Sequence, residues 1–514
     1  MKKSIITLCM FAVFEFACAV SVSTLYASFI FFPRSPAPGQ IVQFTDTSVG
    51  TPTSWQWNFG DGVTNTTQNP RYSYAAAGAY TVTLTVGAGS SSNSTSKIIA
   101  IGYADVITAA SASFADVSAA VSRAKAGDTV VVPAGTATWS SRLVITKGIN
   151  LIGAGVGSTV ITSAYNDYIA GGANTDPENY LITYQPSSPS SNDAFRFSGF
   201  TVNGNNKSHV FCLYNTSVDY PITKIRVDHN YFYNATYSVC AVLGPCYGVI
   251  DNNTIQPRAS SGTMIFQFWG PDDSWSHYGY DFGTSQTLYI EDNILYFGDA
   301  GNSSGSGSRW CYRHNSFTAQ QDTWPGHDAH GNNTSGGNTS TMGIEIYNNA
   351  YNYAGYGGWW VDQRGGKALI FNNTITNASS IGVQIREEYL DTLGPLPANN
   401  SISGQPQHVS DSYYWNNTVN GNLDNQVSIG NTIDYGGNEG LVPRENAHFW
   451  SHELSFNGTV GVGVGPISAR PVTCTKGVGY WATDENKFYG ATATNTWTLF
   501  YTPYSYPHPL RSIL

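Results

Sequence analysis

The chain has 514 residues, of which 11% are charged and 14% aromatic, with 53 glycines and a formal net charge of −10. That length allows several domains, and the scarcity of charge with abundant glycine suits an extracellular β protein better than a cytosolic α/β enzyme. An acidic balance argues against nucleic acid and anionic membranes as partners, so an anionic substrate would have to meet a local basic patch or a bound cation.

Met1-Lys2-Lys3 followed by an apolar run from Ile5 predicts a secretory signal over residues 1–27, with Ala17-Cys18-Ala19 or Leu25-Tyr26-Ala27 preceding the cleavage point. Apolar character continues to about Phe32, so a retained anchor is the alternative; no later stretch is long and apolar enough to span a bilayer. The expected location is secreted or at the cell surface, with no membrane contact beyond the export signal. Outside the leader stand Cys212, Cys240, Cys246, Cys311 and Cys474, an odd set without metal-like spacing. A Cys240–Cys246 disulfide and buried, unpaired thiols are the two readings.

Residues 34–102 follow a Pro-rich linker. Trp55, Trp57 and Phe59 alternate with polar residues, as do Tyr80, Val82, Leu84 and Val86, which predicts two-faced strands, and Asp61-Gly62 supplies a tight turn. The Trp57–Gly62 stretch WNFGDG, with Gly78, Tyr80, Val82 and Leu84 beyond it, resembles a PKD domain. The resemblance implies an immunoglobulin-like β-sandwich acting as a spacer or a binding module.

From residue 114 an amphipathic helix is predicted, with Phe114, Val117, Val121 and Ala124 on one face and Gly127 ending it. Such a helix can cap the open end of a solenoid.

The pattern that follows returns seven times, as VDHNYF, VIDNNTI, IEDNIL, YRHNSF, IYNNAY, IFNNTI and YWNNTV. Its asparagines are Asn230, Asn253, Asn293, Asn315, Asn349, Asn373 and Asn417, spaced 23, 40, 22, 34, 24 and 44 residues apart. Apolar residues stand three before and two after each one, so these are strands entering a turn, stacked as coils of a parallel solenoid. Buried amides one above another can pair, Nδ2 to Oδ1. In the earlier coil through Phe195–Val202, Gly199 is read at the ladder position. The pattern and the preceding helix resemble the right-handed parallel β-helix of the pectate-lyase-like superfamily over residues 105–440.

Excess length falls at 256–286, 318–342 and 377–411, and these loops are expected to wall a common groove. Trp269, Trp275, Tyr278, Trp324, His330 and Tyr389 are the candidate substrate-binding residues, their rings suited to stacking on sugars. The column Asp228, Asp251, Glu291 invites a cation, and calcium suits oxygen ligands; a hydrated acidic stripe is the alternative. Arg313, Arg364, Lys367 and Arg386 are the candidate catalytic cations. A cation beside calcium would neutralise a uronate C6 carboxylate and acidify its C5 proton. Paired carboxylates near Asp362, Glu387 and Glu388 could instead hydrolyse a glycosidic bond. His327, Asp328 and His330 form a weak metal-like motif.

The chain departs from the superfamily's enzymes. The D-G-x-x-D and R-x-P-x-x-R segments of pectate lyases are missing, as are the G-H-G and R-I-K segments of polygalacturonases, so no catalytic residue carries over. Residues 441–514 alternate aromatic and polar residues around Trp481, Phe488, Trp497 and Tyr501, predicting a small β-meander that covers the last coil or binds sugar. The expectation is thus an exported β-helix protein that engages polysaccharide. Calcium-assisted elimination is its leading chemistry, with a non-catalytic adhesin and a glycoside hydrolase as alternatives.

Overall fold

The computed structural model describes residues 25–514 except 33–35, 37, 103–104, 167–175, 259–261, 271–274, 276–280, 299, 322–325, 332–339, 390–407, 425–426, 431–432 and 435–441. The chain divides into two units, Met1–Ala104 and Asp105–Leu514.

The first unit is a β-sandwich. One sheet holds Phe29–Phe32, Ile41–Asp46 and Arg71–Ser73; the other holds Thr64–Asn65, Ser54–Asn58, Gly78–Ala88 and Ser91–Ile101. The inward halves of the alternating strands, Phe44, Trp57, Phe59, Val82 and Leu84, form its core. Gly60 takes φ +85°, and a Cβ there would lie 2.6 Å from the Thr81 carbonyl oxygen, which explains the glycine of the NFGDG turn. The sandwich begins earlier than residue 34. Phe29–Phe32 pairs antiparallel with Gln43–Asp46, and Ala27 is buried, so the apolar character that runs to Phe32 is a core strand. Of the predicted leader, residues 1–27, positions 1–24 lie outside the described residues, among which no helix is long and apolar enough to cross a membrane.

The second unit is a parallel β-helix whose coils each contribute one strand to three sheets. Asn150–Gly153 lies in sheet A, of 12 strands, Thr159–Ser163 in sheet B, of 11, and Tyr180–Tyr184 in sheet C, of 10. The capping helix spans Phe114–Arg123, with Ser113 accepting a hydrogen bond from the Asp116 N–H as N-cap. It buries Val117, Ala120 and Val121 against the first coils.

The asparagine column is a continuous ladder. Each Nδ2 from Asn230 to Asn373 donates to the Oδ1 of the next asparagine at 2.9–3.0 Å. The residue before each asparagine, such as His229, Asn252 and Asp292, takes a left-handed φ of 54–58°. That conformation turns the chain from sheet A to sheet B, and short polar residues tolerate it best. The register pairs Phe197 with Val227, so Phe200 rather than Gly199 stands on the ladder, and its N–H donates to Asn230 at 3.0 Å. Gly199 fills the left-handed position instead, at φ +84°.

Every ladder interval is one coil. Asp251 pairs directly with Glu291 across the 40-residue interval. The extra length falls mainly between a sheet C strand and the next sheet A strand, after Trp269, Ala329 and Ile385. The five cysteines among the described residues are unpaired and buried.

The helix extends past residue 440, since Phe449–Ser451 adds the last sheet A strand. Beyond it, Val462–Gly465, Gly479–Ala482, Lys487–Ala493 and Thr496–Tyr501 form a four-stranded sheet. Its first two strands run parallel and the last three antiparallel, so only the latter form the expected meander, and the sheet covers the outer face of sheet A. Trp481 and Phe488 pack on Phe371 and Trp415, with the Trp415 and Phe488 rings 4.7 Å apart.

Candidate functional site

The acidic column on sheet A is an ion-pair ladder. Asp228 accepts from Arg196 at 2.6 and 2.7 Å, Asp251 from Arg226 at 3.0 Å, and Glu291 from Arg313 at 2.7 Å. The tail completes it: Arg511 lies 3.2 Å from Asp251 and 3.1 Å from Glu291, and Arg313 donates to the carbonyls of Tyr504 and Ser505 at 2.7 and 2.8 Å. Asp228, Asp251, Glu291 and Arg313 are therefore fully buried, and the oxygens read as calcium ligands face guanidinium groups. Burial raises the Asp251 pKa despite Arg226; at Asp228 burial acts the same way but Arg196 and Arg226 overcome it, leaving the pKa lowered. Among the described residues no three His, Cys, Asp or Glu side chains converge as a metal site.

Two other candidates also sit elsewhere. Lys367 opens a sheet A strand and pairs with Asp411 at 3.0 Å, apart from Arg364 and Arg386. Trp275 is fully buried, its Nε1 donating to the Trp269 carbonyl at 2.8 Å, so its ring packs inside the protein. Tyr278, Trp324 and the Tyr389 side chain lie outside the described residues.

The remaining candidates meet on sheet C. Strands His327–Ala329, Gly358–Gln363 and Ile381–Ile385 are neighbours, with Asp328 opposite Asp362 and Asp362 opposite Gln384. Inward positions are His327, Val361 and Val383. His327 bonds Asn302 at 2.7 Å and the Tyr351 hydroxyl at 3.0 Å, and burial depresses its pKa to about 3; it is a neutral core residue. The alternation that turns His327 inward turns Asp328 outward, and two residues further along the same rows stand His330, Arg364 and Arg386.

These groups form one network. Arg364 donates to Asp328 through Nε at 2.8 Å and to Glu388 through Nη1 at 2.6 Å, and its Nε lies 3.7 Å from Asp362. Arg386 grips Asp362, with Nε 3.1 Å from both oxygens. His330 spans Asp328 and Glu388, each at 3.0 Å. Gly331 donates its N–H to Glu388 at 3.1 Å; a Cβ there would lie 2.4 Å from the Arg364 carbonyl oxygen, so only glycine lets the backbones approach. The Trp269 ring lies 5.4 Å from His330.

With His330 protonated the network balances three anions and three cations. Burial works against the imidazolium, but Asp328 and Glu388 outweigh it and raise its pKa to about 9. Burial also opposes ionisation of Asp328, yet Arg364 and His330 hold its pKa well below the usual range. Asp362 moves the other way, raised by burial and by the charge of Asp328. The His330 and Arg386 side chains are each 16% exposed against 10% for Asp328 and 2% for Asp362, so the most accessible groups of the network are cationic. Beside it, Glu387 is buried, which raises its pKa, and accepts from the Val409 N–H at 2.9 Å.

The sequence grouped Asp362, Arg364, Lys367, Arg386, Glu387, Glu388 and Tyr389; the structure joins Asp362, Arg364, Arg386 and Glu388, sets Lys367 apart, and adds Asp328, which the sequence left in a weak metal motif. The signal that places it is the in-out alternation of His327, Asp328, Ala329 and His330, aligned with Val361 to Arg364.

Comparison with known proteins gives a match to the PKD domain family over residues 27–101. Among solved structures the chain is similar to one reported for carbohydrate-binding modules of the β-sandwich superfamily, at 29% identity over 16% of this chain and 35% of that one, with a TM-score of 0.15. The chain thus spans about a third of that structure's length. It is also similar to the PKD1 domain of the Vibrio cholerae metalloprotease PrtV, at 30% identity over 15% of this chain and 98% of that one, TM-score 0.14. The Family 28 exopolygalacturonase of Yersinia enterocolitica is similar at 11% identity over 80% of this chain and 88% of that one, TM-score 0.34. The comparison with curated proteins finds no match.

Proposed function

From a chain whose residues 27–101 are a PKD domain and whose second unit is a parallel β-helix, we propose an exported protein that binds a uronate-containing polysaccharide on sheet C and hydrolyses it. The observation that carries this reading is the Asp328–Asp362 pair, in register on adjacent strands, with one pKa lowered and the other raised. Environments that push two carboxyl groups apart are what a glycosidase uses to keep one as acid and the other as base or nucleophile.

The cationic rim supplies the substrate preference. A uronate carboxylate that takes Arg386 from Asp362 leaves that carboxyl with Arg364 3.7 Å away, and with its burial and the nearby charge of Asp328, the last two of which favour the protonated form. Asp362 can then protonate the glycosidic oxygen. Asp328, kept ionised by Arg364 and His330, activates water or attacks the anomeric carbon. Trp269 provides an aromatic face next to His330 for a neighbouring sugar.

Elimination is the second reading, favoured by the convergence of His330, Arg364 and Arg386 on one rim. The deciding experiment incubates the full chain with polygalacturonate, alginate and mixed uronate glycans, with calcium or with chelator. New reducing ends without absorbance near 235 nm support hydrolysis. Absorbance at that wavelength selects elimination, and its loss with chelator would assign calcium a part. Binding without product overturns both and leaves an adhesin.

A further inference from the structure

Sheet B faces away from this site's strands and carries a surface of different character. Its outward positions alternate with the buried Phe232, Ile255, Leu295 and Phe317. One outward row runs Thr201, Tyr231, Thr254, Ile294, Ser316 and Ala350 in register. The second row runs Asn203, Tyr233 and Gln256, then Tyr296, Thr318 and Asn352 on later strands. Neither row contains a charged side chain, in a chain whose net charge is −10.

The middle of this face holds three tyrosines. Tyr231 and Tyr233 stack with ring centroids 4.6 Å apart at 11°. Burial, together with the neighbouring hydroxyls of Tyr233 and Tyr296, raises the pKa of Tyr231. Amides are held around them. The Tyr231 hydroxyl donates to Gln256 at 2.8 Å, Gln256 to Gln320 at 3.1 Å, and Asn234 to Asn203 at 3.2 Å. Ile294, 50% exposed, adds an apolar contact in the same row.

We infer that this tyrosine and amide face of sheet B is a second binding site, for a neutral polysaccharide, separate from the carboxylate and arginine site on sheet C. Sugars offer apolar C–H faces, which stack on aromatic rings, and hydroxyls, which pair with amides and other hydroxyls. A surface without charge matches such a ligand, because no ion has to be desolvated when the glycan lands. It gives a uronate polymer nothing to pair with. The inference goes beyond the proposed hydrolysis and does not rest on it.

The test is affinity electrophoresis of the full chain in gels cast with hydroxyethyl cellulose, xylan, glucomannan or polygalacturonate. Retardation is expected on at least one neutral gel, and it should survive about 0.5 M NaCl because screening leaves an uncharged contact alone. The double substitution Tyr231→Ala/Tyr233→Ala should weaken it about ten-fold or more. Ile294→Lys, at an exposed position that cannot disturb the core, should weaken it as well. Asp362→Asn should leave it unchanged, which separates this site from the catalytic reading. Migration unaffected by every neutral glycan overturns the inference, as does retardation equal in wild type and both sheet B variants, or retardation confined to polygalacturonate and abolished by salt.

Discussion

Asp328 and Asp362 stand opposite each other on adjacent strands of sheet C, yet their carboxyl groups are driven in opposite directions. The difference comes from partners. Burial opposes ionisation of both, but Asp328 shares Arg364 and His330, whereas Asp362 is held mainly by Arg386 and lies beside the charge of Asp328. Replacing either with asparagine should lower glycan cleavage by about 10²–10⁴-fold, the usual worth of a positioned acid or base. Binding of the same glycan should persist, so reducing-end assays paired with affinity electrophoresis separate the two effects. Loss of binding and cleavage in parallel would assign the pair to substrate recognition.

His330 should make stability depend on pH in a definite direction. Its folded pKa is raised from 6.5 to about 9, so the stabilisation is complete below the unfolded value and is lost as pH rises through the folded one. The thermal midpoint of the β-helix should therefore fall between about pH 7 and pH 10, and His330→Asn should flatten that decline. A midpoint in the wild type that rises over the window would reverse the assignment of charge.

The amide ladder predicts a stability cost in the interior. Asn315→Ala removes the Oδ1 that accepts both the backbone N–H and the Nδ2 of Asn293, each at 3.0 Å. It also removes the donor to the Ile290 and Arg313 carbonyls and to Asn349. Leaving several buried groups unsatisfied should cost about 2–4 kcal/mol in chemical denaturation. Asn422→Ala, whose amide donates to the Asn420 carbonyl at the exposed surface, is the control and should cost little.

Arg313 should prove structural. It is fully buried between Glu291, the Tyr347 hydroxyl and two tail carbonyls, and Arg313→Met leaves the hydroxyl and both carbonyls without this donor and Glu291 with only Arg511 and the His508 N–H. A loss of about 3–5 kcal/mol is expected, with protease cleavage near residue 505 appearing earlier than in wild type. Cleavage kinetics per folded molecule should not change.

How much of this could be read beforehand depended on whether a contact repeats. The ladder asparagines, their apolar neighbours and the capping helix follow a period, so pattern alone located them. The tail does not. Arg226 meets the carbonyls of Arg511 and Leu514, and Arg511 meets Glu291, across more than 200 positions with no periodic trace. Asp228, Asp251 and Glu291 therefore looked like an acidic stripe open to a cation, when Arg196, Arg226 and Arg313 pair with them on neighbouring strands and Arg511 joins them from a segment that shows only aromatic alternation. The sheet C site fell between these cases. Arg364 and Arg386 stood out as charges after apolar strands, while the Gly-rich surroundings of Asp328 disguised a three-residue strand as loop. Phe29–Phe32 was hidden differently, because this core strand prolongs the apolar run from which a leader was expected.

Steps of 22 and of 44 residues advance the solenoid by the same single rung, since the surplus is expelled mostly at the corner leading from sheet C back to sheet A. Length at that corner is thus a free variable for the fold. Transplanting the segment after Ile385 or Trp269 from one such protein to another should alter which glycans are accepted while the scaffold's melting behaviour stays put, making the corner the natural place to engineer specificity.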